Sequence, residues 1–242
     1  MMDFYFLLFI LILAVLYSSV GHGGASGYLA MMAIFGMSTE IMRPSALTLN
    51  IFVSAIAFYS FYKNGHFKIK LLIPFIITSI PFAFIGGLLS VDPKIYKIIL
   101  GCFLMIAILR MVVKPVSKTN NTKDINLKFA ILIGAFLGFF SGIIGIGGGI
   151  ILSPILILLG WANVKETSAI SAAFIFINSV AGFTGLAVQG SSFDPNIALM
   201  IVAGLVGGLL GSILGSFRFS ESALRYALSV VLVFASIKLI FL

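Results

Sequence analysis

Gly21, His22, Gly23 and Gly24 form one glycine-rich cluster, and Gly145, Gly147, Gly148 and Gly149 form another. Residues without a Cβ cost a helix about 1 kcal/mol each relative to alanine, and three stand side by side at 147–149. A run of that kind breaks a helix, so the chain turns there and a new helix begins at about Ile150. Gly23 and Gly24 do the same ahead of a helix starting near Ser26, whose hydroxyl can cap or donate. The first amides of each new helix have no partner inside it and carry the positive end of the helix dipole. Two such amino termini converging from opposite sides make an anion site built of backbone. The alternative is that small residues only let helices approach closely, which needs them four apart on one face. Gly86-Gly87, Gly207-Gly208 and Gly211 read that way, whereas adjacent glycines suit a break.

Few side chains compete for the same role. All seven acids (Asp3, Glu40, Asp92, Asp124, Glu166, Asp194, Glu221) fall at or near segment ends, so none stands where a cation carrier or proton relay holds its carboxylate. His22 lies in the first cluster and is either a hydrogen-bonded structural histidine or a gating, proton-linked group. Asn50 and Asn178 are amides inside apolar runs and need partners, either another helix or the ligand. Ser26 and Ser171 are further candidate contacts, among the polar residues Arg43, Ser45, Thr48, Ser54, Thr167, Ser168 and Ser179 that follow the clusters. Arg43, beside Pro44, attracts anions or anchors a helix at the membrane interface, and the anchor is favoured. Enzyme motifs fail: the first cluster lacks the third glycine of a dinucleotide fingerprint, Ser26 has no base partner, and no metal-ligand spacing occurs. No catalysis and no cofactor are expected.

The elements that must position these groups follow from composition. The chain has 242 residues, of which 61% are hydrophobic and 9% charged, and its mean hydropathy is +1.22. A soluble domain runs near a quarter charged, so a soluble enzyme is excluded and an all-α integral membrane protein is indicated. Apolar segments fall at 4–20, 28–37, 44–62, 69–90, 95–113, 128–144, 150–162, 167–188, 196–216 and 224–242. About twenty residues span the roughly 30 Å hydrocarbon layer, so 28–37 and 150–162 are short for a crossing. The net charge of +8 sits at segment ends, as it does in membrane proteins, and no nucleic-acid partner is expected. Residues 4–20 read as a retained first segment rather than a cleaved signal, and the lone Cys102 says nothing of redox compartment.

The chain repeats itself at an offset of 123–128 residues: the two clusters, Ser45-Ala46 with Ser168-Ala169, Asn64-Gly65 with Gln189-Gly190, Phe84-Ile85-Gly86 with Leu209-Leu210-Gly211, and Tyr96-Lys97 with Leu224-Arg225. Residues 1–113 form repeat 1, 114–127 a linker, and 128–242 repeat 2. The loop at 63–70 carries three lysines and the linker four, counting Lys128 at its edge, while the equivalent loop at 189–196 carries only Asp194. By the positive-inside rule the first two face the cytoplasm and the third faces outside, so the repeats are inverted. Each is then a glycine-tipped helical hairpin, re-entrant or fully crossing, plus three transmembrane helices, with both termini outside. The one conflict is the loop at 91–97, whose Lys94 and Lys97 would lie outside.

At its two clusters the sequence resembles the sulfite exporter TauE/SafE family, also called toluene sulfonate uptake permeases, over nearly the whole chain. The second copy, Gly145 to Gly149 with Pro154 beyond, matches the family's Gly-x-Gly-Gly-Gly element. In the first, His22 fills the variable position and Ala25 replaces the last glycine. The resemblance implies transport of sulfur-containing anions such as sulfite or sulfonates across the cell membrane, in either direction. The expectation is therefore a transporter whose small anionic substrate is held by Gly21, His22, Gly23, Gly24, Ser26, Asn50, Gly145, Gly147, Gly148, Gly149, Ser171 and Asn178. A channel-like anion pore and a non-transporting membrane assembly subunit are the alternatives. Its surroundings are the lipid bilayer and possible further copies of itself.

Overall fold

The computed structural model describes residues 4–19, 21–112, 123–190 and 194–214, with 233 and 236–238. Most of the expected segment at 224–242, the carboxyl terminus and most of the linker lie outside them. Among the described residues the chain is all-helical: α1 Phe4–Ser19, α2 Ala25–Ile34, α3 Thr39–Lys63, α4 Ile69–Leu88, α5 Pro93–Val112, α6 Leu127–Ile144, α7 Gly149–Leu158, α8 Val164–Gln189 and α9 Ile197–Leu214. Of these, α3, α4, α6 and α8 are long and apolar enough to cross a membrane. Helix α3 starts five residues before the apolar run does, so Arg43 and Pro44 fall inside it.

Both glycine clusters end one helix and start another, and both make helical hairpins. Helix α2 runs back along α1: Tyr17 Oη lies 2.8 Å from Ser26 Oγ, and Phe35, just past α2, meets the ring of Phe6 at 5.2 Å. Ten residues rise about 15 Å, so α2 returns toward the end where α1 began. The second hairpin closes in the same way, where Lys123 N, ahead of α6, donates to Gly160 O, beyond α7, at 2.7 Å.

Around the hairpins the packing pairs come in twos. Helix α4 lies against α6 and α8, while α9 lies against α1 and α3; α3 and α8 cross each other between them. Glycine makes these approaches possible. A methyl at Gly138 or Gly142 would strike the backbone of α4 at Ser79 or Ala83, one at Gly86 or Gly87 the backbone of α6 or α8, and one at Gly207 or Gly211 the backbone of α1. Backbone contact without intervening side chains is how membrane helices gain dispersion energy when water supplies no drive between them. Gly208, by contrast, faces side chains of α3 at ordinary distance.

Two clusters of polar contacts tie helix ends together. Lys68, just before α4, pairs with Glu166 in the first turn of α8 at 2.5 Å. Glu166 also completes a capping box with Asn163. At the other end of the bundle, Arg43 in α3 bonds carbonyls in the last turn of α4. The end of α3 and the start of α8 therefore share one face, and the start of α3 and the end of α4 the other. Because Lys68 is half exposed and the capping box survives without it, Lys68→Ala should lower stability by only about 0.5 kcal/mol, as thermal melting in detergent would register.

Candidate functional site

Among the described residues, nothing inside the hairpins closes the breaks. Gly24 and Gly148, the residues before α2 and α7, hold left-handed backbone at φ +94° and +75° and offer no side-chain cap. Among the described residues, the amides of Gly23, Gly24 and Ala25 in the first bend, and of Gly147, Gly148 and Gly149 in the second, make no hydrogen bond. Unpaired buried amides are rare in proteins, and a row of them at a helix start awaits an anion or ordered water.

The two bends meet. A methyl in place of the Gly23 hydrogen would stand 2.6 Å from Asn50 Oδ1 and 3.0 Å from Ile175 Cγ2. One at Gly147 would stand 2.8 Å from the same Ile175 carbon, 3.0 Å from Asn50 Nδ2 and 3.2 Å from Ser179 Oγ. Asn50 on α3 and Ile175 on α8 occupy equivalent places in the two halves, so the clusters approach one another across a matched pair, one polar and one aliphatic. Asn50 has no exposed surface, and neither atom of its amide has a partner; the same holds for the Ser179 hydroxyl. Unpartnered polar atoms in an apolar interior cost about 1–3 kcal/mol each, so three beside two rows of free amides mark a place that a ligand or water completes.

A second group lies alongside. His22 Nε2 is 3.0 Å from Ser153 Oγ on α7, which is 2.7 Å from Ser171 Oγ on α8 and donates to Gly149 O at 3.0 Å. Thus His22, Ser171 and Gly149 come together through Ser153, which the sequence reading passed over. Its signal was there to find, a lone hydroxyl in an otherwise aliphatic half-helix. The outer glycines lie elsewhere: Gly21 packs on Phe61 and Ser168, and Gly145 on Arg43. Ser26 lies within α2 and is occupied by Tyr17 rather than capping the helix. The Asn178 amide donates to Phe174 O, one turn back on its own helix, leaving Oδ1 unpartnered.

Arg43 is not an interface anchor. It is 6% exposed, and it donates through Nε to Gly142 O at 2.9 Å, through Nη1 to Leu89 O at 3.0 Å, and through Nη2 to Gly87 O at 2.9 Å and to Gly86 O. Tyr96 Oη donates to Ile144 O at 2.9 Å. These two side chains satisfy carbonyls that the broken α6 and the end of α4 would otherwise leave bare, while the amides across the break remain free. Arg43 and Tyr96 also floor a cavity of about 340 Å³ between the start of α3, the segment after α4 and the end of α8. They stand between it and the second cluster, whose glycines are buried.

Comparison with known proteins bears on this architecture. A family model described as sulfite exporter TauE/SafE matches residues 6–239. A probable membrane transporter protein of Sinorhizobium fredii is 33% identical over 233 residues, covering 95% of this chain and 94% of that protein. Another from Methanocaldococcus jannaschii is 36% identical over 124 residues, half of this chain and 45% of its own length. A third, from Bacillus subtilis, is 24% identical over 203 residues, 72% of this chain and 74% of its own. No solved structure matches the chain.

Proposed function

The chain belongs to the sulfite exporter TauE/SafE family and is a multi-pass membrane transporter, and we propose that it carries a small sulfur-containing anion, such as sulfite or an organosulfonate, on the free amides of its two glycine bends. The observation that carries this reading is Asn50: fully buried, unpartnered at both amide atoms, and flanked by Gly23 of one bend and Gly147 of the other. Its Nδ2 and the backbone amides supply donors to sulfur-bound oxygens, and no carboxylate shares the site to repel them.

The inverted-repeat arrangement, with repeats at 1–113 and 128–242, has support from parity. Each hairpin returns to the side it left, and three helices follow the first hairpin before the linker, so the second hairpin starts on the opposite side. The contacts of Lys68 with Glu166 and of Arg43 with the end of α4 agree with that assignment of faces. On this reading the positive-inside rule supports the loop at 63–70 and the linker as cytoplasmic and the termini as outside. The cavity above Arg43 is on this reading the outer vestibule, closed below by Arg43 and Tyr96 in this conformation, and alternating access opens it.

Uptake into proteoliposomes tests the proposal against sulfite, thiosulfate, methanesulfonate, sulfate and acetate. Saturable flux of a sulfur anion in preference to acetate is expected. Flux that never saturates would put a pore in place of a carrier, and no flux of any anion would leave the assembly-subunit reading. Asn50→Leu keeps the volume and removes the donor, so affinity should fall roughly tenfold or more with the protein still folded. Wild-type affinity in that variant would take Asn50 out of the site.

A further inference from the structure

His22 belongs to the first bend, yet its ring contacts the second hairpin, 3.0 Å from Ser153 on α7. Ser153 Oγ has one hydrogen and three neighbours: Gly149 O, Ser171 Oγ and His22 Nε2. While that hydrogen goes to Gly149 O, Ser171 and His22 must both donate to Ser153, so Nε2 carries a proton, and a second proton on the ring leaves this chain of bonds in place. Two hydrogen bonds therefore separate the imidazole from Gly149, the first residue of the helix whose amides are open.

We propose that His22 is the group through which anion binding takes up a proton, so that solute and H⁺ move together. This rests on the reading of the two bends as the anion site. The physics is reciprocal: a negative charge beside the ring stabilises its cation, and the cation strengthens hold on the anion by the same factor. The proton comes from water on the loading side, rests on the half-buried ring, and leaves when the anion does.

Other groups on the surrounding elements do not titrate in the same range. Tyr17 of α1 and Tyr28 of α2 are phenols, with an ordinary value near 10. Arg43 of α3 keeps its charge throughout. Helix α7 carries no ionisable side chain, and α8 contributes only Lys165 and Glu166 in its first turn, the latter paired with Lys68. His66 precedes α4 near that ion pair and serves as the control.

Binding of methanesulfonate and sulfate, which keep fixed charge between about pH 5.5 and 8.5, is measured on the purified full chain by calorimetry. Wild type should bind about tenfold more tightly at the acid end, and binding in weakly buffered detergent should draw protons from solution, read with an indicator dye. His22→Gln preserves a donor to Ser153 but cannot titrate; it should bind equally at both ends and take up no protons. His66→Gln should behave as wild type. Binding by wild type without proton uptake, or an unchanged pH profile in H22Q, overturns the coupling and leaves the anion site standing. No binding of either anion at any pH overturns the site reading and the coupling with it. The wild-type proton measurement decides the matter even if H22Q does not fold.

Discussion

Gly148→Val is expected to reduce transport to background, about a hundredfold or more, while the protein still reaches the membrane folded. Gly148 holds φ +75°, where a β-branched residue is strained by about 1–3 kcal/mol. Its Cβ would also come to 2.9 Å from Phe174 Cε1 and 3.4 Å from Leu137 O. The bend must shift to relieve both, and with it the amides of Gly147 and Gly149. Fold is retained because the hairpin is held at its far end, by Lys123 on Gly160, and along α6 by its glycine contacts with α4. Gly160→Ala supplies the comparison: φ is again left-handed at +69°, but the nearest atoms a methyl would meet are 3.8 Å away on Lys123. That variant should lose about 1 kcal/mol of stability and keep its flux. Full transport by Gly148→Val would move the site away from the second bend, and loss in both variants would trace the effect to backbone strain alone.

Much of this architecture is legible in the sequence because helix propensity is a local property. Adjacent glycines at 147–149 fix the break, and the observed starts at Ala25 and Gly149 lie within one residue of the positions read from the sequence, near Ser26 and Ile150. The short lengths of α2 and α7 likewise come directly from the apolar runs. That α2 folds back along α1 is decided by long-range contacts, such as Phe6 on Phe35, that no spacing rule contains. The site is legible only as an inventory. Gly23, Gly147 and Asn50 carry no mark that says they meet, and Ile175 and Ser179, between them, look like ordinary residues of an apolar helix. Ser153 escaped because two of its three neighbours come from other elements, 18 and 131 residues away in the chain.

Arg43 shows the same limit with the largest energetic consequence. In the sequence it is a basic residue near a segment end, and basic residues there anchor helices in the headgroup layer. In the fold its acceptors come from α4 and α6, 43–99 residues further along, so burial and charge satisfaction are invisible locally. Four of its five N–H groups donate to carbonyls at the negative ends of two helices, which offset its charge without a carboxylate. Arg43→Met fills similar space and removes every donor. Relief from burying a charge favours the variant, but four carbonyls then lose their partners at about 1–3 kcal/mol each, and the second effect prevails. A net loss of about 3 kcal/mol is expected, with melting in detergent roughly 10 °C below wild type. Arg43→Lys should fall between the two, since three donors on a single nitrogen cannot reach acceptors spread over two helices. Because Arg43 itself packs against Gly145, the methionine variant should also lose flux in whatever fraction survives. A melting temperature within about 2 °C of wild type for Arg43→Met would mean that the carbonyls find other partners, and that Arg43 is not what holds the end of α6 in place.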